Sequence, residues 1–358
     1  MFNRDDFLQA KQVLGRSLLP AALRGGVVGL RPALRVSDII ANVPRGVHAV
    51  GIGRKVVNGR VTEDLSVRVH VVQKVAHSFL PPAYHIPSQI DGIPTDVVES
   101  PPAFIAATES QAPTAETAAA DVPGCSTDRF QRQRPLIAGI SSGHFNVSVG
   151  TLGYFCRSTR QGDDPDKVFV LSNNHVYADV NQGHVGDNLL QPGVFDHGTL
   201  VDVIATLVRS VPLQLGADGQ NRVDAAIGEL RPDVTYVAEV CSIGAIIGTA
   251  IATDGMQVRK HGRTTGYAEG EVTDLSYDAI VGMDHNNSSV VACFENQIRI
   301  QPISPFKAIG VGGDSGSLVV EKGSQSAVGL YFANPMDGSY GVVNSIEDVL
   351  SELEIQLL

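Results

Sequence analysis

From Pro135 onward the chain is a succession of short apolar runs, each ended by Gly, Asn, Asp or Pro. Typical runs occupy residues 168–171, 204–208, 258–260 and 318–320. Almost no helical periodicity lies between them. Short strands at such spacing are typical of antiparallel barrels or a sandwich, so this pattern limits the larger part of the chain to a mainly β fold.

The first hundred residues follow a different pattern. Apolar residues at helical spacing predict a short amphipathic helix over residues 5–14 that ends at Gly15. From Val47 the pattern alternates, and Asn58-Gly59 predicts a hairpin turn. A further strand is predicted at residues 93–99, near an edge because of its proline. Together these features predict a small α+β module.

Charge and composition limit the classes of partner that the protein could bind. The net charge is −11 and no basic run occurs, which argues against nucleic acid or an anionic membrane as the main partner. No apolar run approaches bilayer length, and residues 1–23 lack a signal-peptide hydrophobic region. Four scattered cysteines without a C-x-x-C pair predict reduced thiols and a cytoplasmic protein.

Three stretches carry side chains suited to nucleophilic catalysis. Ser315 lies in Gly-Asp-Ser-Gly at 313–316, where glycines permit a tight turn that exposes a hydroxyl beside backbone N–H groups. His175 follows an apolar strand, and Asp224 leads into another. Each has an ordinary interpretation on its own: a Gly/Ser hairpin loop, a strand-end histidine and a turn aspartate.

The order of the three residues is more specific than any one of them. They run His175, Asp224, Ser315 at intervals of 49 and 91 residues. The chymotrypsin template has this order at intervals of about 45 and about 93 residues, whereas subtilisin and the α/β-hydrolases use other orders. The sequence therefore resembles trypsin-like (chymotrypsin-fold) serine peptidases, and more narrowly the Narrow leaf group and its bacterial relatives.

The narrower resemblance rests on several motifs and extends over most of residues 47–350. They are Leu-Ser-Asn-Asn-His-Val at 171–176, Val-Asp-Ala-Ala-Ile at 223–227, Lys-His-Gly-Arg-Thr-Thr-Gly at 260–266, Gly-Asp-Ser-Gly-Ser at 313–317, Gly-Ile-Gly at 51–53 and Ile-Pro-Thr-Asp-Val-Val-Glu at 93–99. The triad motifs are the most specific of these.

The resemblance implies two facing six-stranded antiparallel barrels, with His175 and Asp224 from the first and Ser315 from the second. By this likeness Ser315 attacks a carbonyl carbon, His175 takes its proton and Asp224 orients the imidazole. The backbone N–H groups of Gly313 and Ser315 would form the oxyanion hole. The turn at 262–266 would be a structural hairpin outside the chemistry.

Four parts of the chain are predicted on this basis. They are an N-terminal α+β module with a leading helix at 1–105, a flexible linker rich in Ala, Thr, Ser and Pro at 106–134, a first β-barrel at 135–235, and a second β-barrel with a C-terminal helix at 236–358. Ser345 to Asp348 has the form of a capping box, and its helix is expected to dock on the last barrel.

Two features depart from the digestive enzymes of the family. No Ile-Val-Gly-Gly start is present, so Asp314 is expected to have a partner other than a new α-amino group, and activity would need no cleavage. The residue six before the nucleophile is Ile309, which argues against a preference for basic residues. A wall of Leu330, Tyr331 and Phe332 would favour an apolar or small side chain at the cleaved position.

The sequence thus predicts a serine endopeptidase that hydrolyses protein or peptide substrates through an acyl-enzyme. One alternative is a binding or scaffold protein on a peptidase fold; another is self-cleavage within 106–134. No cofactor or metal is expected, because the histidines lack metal-ligand spacing. His48, His70 and His85 are interpreted as surface or strand histidines, and a homo-oligomer is left open.

Overall fold

The computed structural model describes residues 2–23, 46–82, 85–105, 128–283 and 290–358. Most of the predicted linker, residues 106–127, lies outside the described residues. Strands dominate, and the described α-helices are α1 Arg4–Leu23, α2 Asn174–Tyr177 and α3 Ile346–Leu353. None of the helices in the described residues is long and apolar enough to cross a membrane.

The N-terminal part holds α1 and five strands: β1 Val47–Val57, β2 Arg60–Val71, β3 Gln89–Ile90, β4 Ile93–Glu99 and β5 Ala103–Ile105. The hairpin prediction is confirmed, because Val57 pairs with Arg60 and both turn residues, Asn58 and Gly59, have positive φ. The predicted end of α1 at Gly15 is wrong. The helix continues because Leu18 and Leu19 pack into the same apolar core as Leu14, and such packing outweighs one glycine.

The first barrel and its surroundings contain β6 Leu136–Ala138, β7 Ser141–His144, β8 Gly150–Thr151, β9 Tyr154–Ser158, β10 Phe169–Ser172, β11 Asn188–Leu190, β12 Val203–Ser210, β13 Gly216–Asn221 and β14 Ala226–Leu230. β8 continues into β9 after two residues, so the two act as one strand. The antiparallel pairs β7–β8, β9–β10, β10–β14, β14–β12, β12–β11 and β11–β7 then close a ring of six strands.

The second half contains β15 Tyr236–Val240, β16 Gly244–Ala245, β17 Gln257–Gly262, β18 Gly266–Gly282, β19 Val291–Pro302, β20 Leu318–Glu321, β21 Ala327–Asn334, β22 Gly341–Ser345 and β23 Ile355–Leu357. The antiparallel pairs β17–β18, β18–β19, β19–β22, β22–β21, β21–β20 and β20–β17 close a second ring of six strands. The predicted mainly β fold with two antiparallel six-stranded barrels is confirmed.

One long strand joins the N-terminal part to the second barrel. A single edge of β18 pairs first with β17, then with β1 through Leu275 to Ala279, and then with β5 through Val281 and Gly282. The N-terminal strands therefore extend the sheet of the second barrel.

Apolar side chains fill the space between the barrels and hold the C-terminal helix. Leu171 and Ile227 of the first barrel, Leu330 of the second, and Val349 and Leu353 of α3 belong to one buried cluster. β23 then pairs with β9 of the first barrel. The C-terminal helix packs on β21 and β22 of the second barrel, as the sequence predicted, and shares this buried cluster with residues of the first barrel.

Candidate active site

His175 is held by Asp224 through two contacts. β10 ends at Ser172, and α2 follows at once with His175 in its first turn. His175 Nδ1 lies 2.6 Å from Asp224 Oδ2, and the backbone N–H of His175 donates to Asp224 Oδ1 at 3.1 Å. Because a carboxylate only accepts hydrogen bonds, Nδ1 carries the hydrogen, and Nε2 of the neutral ring presents a lone pair.

Asp224 is fixed in turn by two asparagines. Asn173 Nδ2 donates to the carbonyl of Asp224 at 2.7 Å, and the N–H of Asp224 donates to Asn344 Oδ1 at 3.0 Å. Asn344 belongs to β22 of the second barrel, and its Nδ2 donates to Gln297 Oε1 at 2.7 Å. Asn173 lies in the motif around His175, but no sequence signal pointed to Asn344. The carboxylate is fully buried, so these bonds keep it aimed at the imidazole.

The loop that carries Ser315 is pressed against the first barrel. Gly316 has a φ of +94°, and a Cβ there would lie 2.2 Å from Ser172 Oγ and 2.4 Å from the carbonyl of Thr151, so only glycine fits. The N–H of Thr151 donates to the carbonyl of Ser315 at 2.8 Å. Ser172 is the third residue before His175, so the two predicted site segments lie side by side.

The hydroxyl of Ser315 donates to the backbone carbonyl of Phe332 at 3.2 Å. Within the described residues, His175 Nε2 is buried and has no hydrogen-bond partner. The structure therefore joins His175 to Asp224 directly, whereas the Ser315 hydroxyl is bonded to β21. Catalytic hydrogen bonds often tighten only when substrate is bound, so this arrangement is compatible with a serine nucleophile.

Backbone N–H groups of the same loop fall into two sets. Those of Asp314 and Ser317 donate to the carbonyls of Val311 and Asp314 at 3.1 and 3.0 Å. Among the residues that the structure describes, those of Gly313 and Ser315 have no acceptor. Gly313 has a φ of +90°, which turns the loop at this point. Two unused donors that flank Asp314 are suited to bind an oxyanion.

Asp314 has Lys260 as its charged partner. Lys260 Nζ lies 3.2 Å from Asp314 Oδ1, and both side chains are 0% exposed. The carboxylate also accepts from the N–H groups of Thr264, Thr265 and Val311 at 2.9, 3.0 and 2.8 Å. Burial lowers the pKa of Lys260, and the charge of Asp314 opposes that shift. The expectation that Asp314 has a partner within the chain agrees with this pair.

The turn at 262–266 connects β17 to β18 as predicted, with Gly262 paired to Gly266. It also supports the loop that carries Ser315. The N–H of Arg263 donates to Thr151 Oγ1 at 3.0 Å, and Thr151 Oγ1 donates to the carbonyl of Gly313 at 2.9 Å. Arg263 is anchored by a buried ion pair with Asp196. The hairpin therefore fixes the shape of the loop although none of its side chains is bonded to His175 or Ser315.

The side chains predicted to form a substrate pocket lie in the interior. Leu330 packs between the barrels, and Ile309 and Tyr331 belong to the core of the second barrel. Phe332 packs against Phe294, with ring centroids 4.7 Å apart and the ring planes tilted by 46°. All four are fully buried, so what this stretch brings to Ser315 is the backbone carbonyl of Phe332.

Two histidines of the N-terminal part are buried strand residues and not surface residues. His70 Nε2 lies 2.9 Å from Asp274 Oδ1, and His48 Nε2 lies 2.8 Å from the carbonyl of Ser100. Burial lowers the pKa of His70 to about 4 and that of His48 to about 3. Burial raises the pKa of Asp274. The positive charges of His70, Arg68 and Arg299 lower it by more, so the pKa of Asp274 is about 2.

One cysteine contradicts the prediction of reduced thiols. Cys241 is disulfide-bonded, whereas Cys156 is a buried thiol whose pKa is raised by burial. Wide spacing along the chain hid the bond, because spacing alone does not reveal which cysteines meet. The cytoplasmic location that the thiols suggested stays a prediction.

Neither a protein-family model nor a curated protein matches the sequence. Solved structures that match include Thermobifida fusca protease A, at 17% identity and a TM-score of 0.42, covering 62% of this chain and 97% of that one. Nocardiopsis protease matches at 16% identity and a TM-score of 0.43, with coverage of 62% and 97%. A glutamic acid specific serine protease matches at 14% identity and a TM-score of 0.43, covering 62% of this chain and 100% of that one. Likeness at this level adds nothing to what the strand pairings establish.

Proposed function

We propose that the protein is a serine endopeptidase in which His175, Asp224 and Ser315 act together. Ser315 Oγ attacks the carbonyl carbon of a peptide bond, while His175 Nε2 takes its proton and passes it to the leaving amine. Asp224 holds the ring and stabilises its protonated form. Water then hydrolyses the acyl-enzyme and restores the hydroxyl of Ser315.

The 2.6 Å contact between His175 Nδ1 and Asp224 Oδ2 is the observation that supports this function most. This contact fixes the tautomer that a general base needs, with the hydrogen on Nδ1. The lone pair of Nε2 then points away from Asp224. The N–H groups of Gly313 and Ser315 would hold the oxyanion, and removal of one such donor typically costs about 10² to 10³ in kcat.

A fluorophosphonate probe tests the nucleophile. Folded protein should be labelled at Ser315, the Ser315→Ala variant should not, and Ser351→Ala, which changes an exposed serine of α3, should label like wild type. Asp224→Asn should keep the fold and lower kcat on a peptide library by roughly 10⁴, because the ring would adopt the wrong tautomer. Folded wild-type protein that takes up no label would contradict the proposal.

The same library would reveal the specificity. The sequence-based expectation of an apolar or small residue on the acyl side of the cleaved bond stays a proposal, because Ile309, from which it was argued, is buried in the core of the second barrel. Frequent cleavage after Arg or Lys would overturn this part of the proposal without affecting the nucleophile.

A binding protein on a peptidase fold is the second candidate, favoured by the bond from Ser315 Oγ to Phe332 and not to His175. If this bond persists in solution, the hydroxyl is not activated. Absence of both labelling and turnover, together with a partner retained equally by wild type and Ser315→Ala, would support this candidate.

A further inference from the structure

One edge of β21 lies directly beside Ser315. This edge pairs first with β20 and then meets the loop that carries Ser315, where the N–H of Gly316 donates to the carbonyl of Tyr331 at 2.9 Å. The carbonyl of the next residue, Phe332, accepts the hydroxyl of Ser315 at 3.2 Å. A substrate whose carbonyl carbon reaches Ser315 Oγ therefore comes alongside this edge of β21.

The next place along the edge is taken by β5. Phe104 lies opposite Asn334 and Ile105 opposite Ala333, so β5 is antiparallel to β21 and runs toward Phe332. An extended peptide that adds a strand to a sheet needs a free edge. β5 therefore fills the place where the residues on the acyl side of a substrate would pair with β21.

Several contacts hold β5 in this position. Its other side pairs in parallel with β18. Ala103 and Ile105 are buried in one apolar cluster with Phe332. Just before the strand, the hydroxyl of Tyr340 donates to the carbonyl of Pro101 at 2.7 Å. A separate peptide can pair with this part of β21 only after the contacts between β5 and β21 are broken.

We propose that β5 is an inhibitory strand that competes with extended substrates for the edge of β21. This inference rests on the proposed function of Ser315. An extended peptide binds only the fraction of molecules in which β5 has left the edge. The apparent KM for that peptide is then the KM of the open form divided by the open fraction. The kcat does not depend on this fraction, because every molecule with the peptide bound is open.

The inhibition should depend on the length of the substrate. An ester with a single blocked residue on its acyl side ends before the position opposite Ala333, which Ile105 occupies. Such an ester, like a small fluorophosphonate, should react with Ser315 while β5 stays in place. A peptide with four residues on the acyl side needs the edge that β5 covers, so only this substrate should report the release of β5.

Tyr340→Phe tests the inference by weakening the attachment of β5. Loss of one hydrogen bond should increase the open fraction roughly fivefold, so the KM for the four-residue peptide should fall roughly fivefold at constant kcat. Hydrolysis of the single-residue ester should not change. Tyr154→Phe is the matched control, because it removes a hydroxyl that donates to the carbonyl of Ala238 at 2.8 Å, away from β5. The same KM for the peptide in Tyr340→Phe and wild type would contradict the inference.

A disulfide between β5 and β21 tests the inference in the opposite direction. Ile105→Cys combined with Ala333→Cys places two cysteines opposite each other in an antiparallel pair, at a Cα separation that suits a disulfide. The oxidised protein should lose about tenfold or more in kcat/KM on the four-residue peptide and keep its activity on the ester. Reductant should restore the lost activity. Wild type with the same reductant controls for the native disulfide of Cys241.

Labelling with the fluorophosphonate distinguishes failure of this inference from failure of the proposed function. If Ser315 is labelled but the oxidised disulfide variant cleaves the four-residue peptide as fast as the reduced one, the inhibitory role of β5 is excluded and the peptidase proposal stands. Folded wild-type protein that neither takes up label nor hydrolyses the ester would exclude both. If Tyr340→Phe does not fold, the disulfide variant decides.

Discussion

Asp314 holds the loop that carries Ser315 from inside the protein. Its carboxylate is buried against Lys260 and accepts three backbone N–H groups from the loop and the neighbouring hairpin. The pair therefore fixes the conformation in which the N–H groups of Gly313 and Ser315 have no acceptor among the described residues. This arrangement needs no group released by proteolysis.

Lys260→Met should destabilise the protein by about 3–5 kcal/mol, because it leaves a buried carboxylate without its counter-ion. Urea unfolding at neutral pH measures the change. The matched control is Lys322→Met, because Lys322 pairs with Glu269 at 2.7 Å but is 42% exposed. The control should lose less than about 1 kcal/mol. Equal losses in both variants would show that the buried pair has no special role.

Gly316→Ala should damage the site far more than Gly162→Ala. Both glycines have φ near +95°, so both variants incur the same backbone strain of about 1–2 kcal/mol. Only at Gly316 does the added methyl overlap Ser172 and Thr151; nothing lies within 4 Å of a Cβ at Gly162. Overpacking adds about 1–3 kcal/mol. Thermal unfolding and Ser315 labelling check this, and similar losses in the two variants would contradict it.

At the site, the sequence pointed to side chains that sit in recognisable motifs. His175, Asp224 and Ser315 follow or precede apolar strands in a known order, and the structure joins the first two at 2.6 Å. Asn344 could not be predicted, because it meets Asp224 across 120 residues of sequence through a barrel-to-barrel contact. Lys260 begins the motif Lys-His-Gly-Arg-Thr-Thr-Gly at 260–266. Its pairing with Asp314 depends on the burial of both side chains, which the motif does not reveal.

At the scale of elements, four strands, β1, β2, β18 and β19, share one buried polar cluster. His48 of β1, His70 of β2 and Asp274 of β18 lie together with Arg68 and Arg299. The two histidines are neutral in the folded state because burial lowers their pKa values to about 3 and about 4. The N-terminal strands are therefore joined to the second barrel through groups that respond to acid.

Stability should fall as the pH drops from about 6.5 toward 4. In the unfolded chain the histidines titrate near 6.5, so between these pH values the unfolded state binds more protons than the folded state. Each histidine then contributes a slope of up to about 1.4 kcal/mol per pH unit. The lowered pKa of Asp274 adds a loss only below about 3.8.

Urea midpoints measured at a series of pH values test this coupling. The free energy of unfolding of His48→Gln should depend less steeply on pH than that of wild type. The difference should correspond to about one bound proton, because one titrating group is gone. His184→Gln is the control, since the side chain of His184 is 88% accessible and lies outside this buried cluster. A His48→Gln slope equal to that of wild type would exclude His48 as a titrating group.

Local features agree with the sequence prediction where local chemistry determines them. They differ from the prediction where contacts with distant parts of the chain determine them. Asn58-Gly59 formed its hairpin turn as predicted. The capping box at Ser345 is not made, since Ser345 forms no side-chain cap bond and Asp348 instead accepts from Arg222 at 2.7 Å. Arg222, from a distant part of the chain, binds Asp348 in place of the local backbone N–H of Ser345. A local sequence pattern cannot reveal such a partner.

At the scale of the whole molecule, the parts are not separable. One apolar cluster combines Leu171 of the first barrel, Leu330 of the second and Val349 of α3, and β18 serves both the second barrel and the N-terminal strands. We expect a single cooperative unfolding transition, because no part can lose its structure without exposing the core of its neighbour. Calorimetry checks this, and two resolved transitions would contradict it.

The continuous edge of β18 has a practical consequence for anyone who trims the gene. A shortened clone that starts at the first barrel would leave the backbone from Leu275 to Gly282 without the partners that β1 and β5 supply. Bare strands of this kind recruit one another between molecules. Such clones should accumulate as inclusion bodies, so a soluble shortened protein would have to keep the codons of its leading sheet.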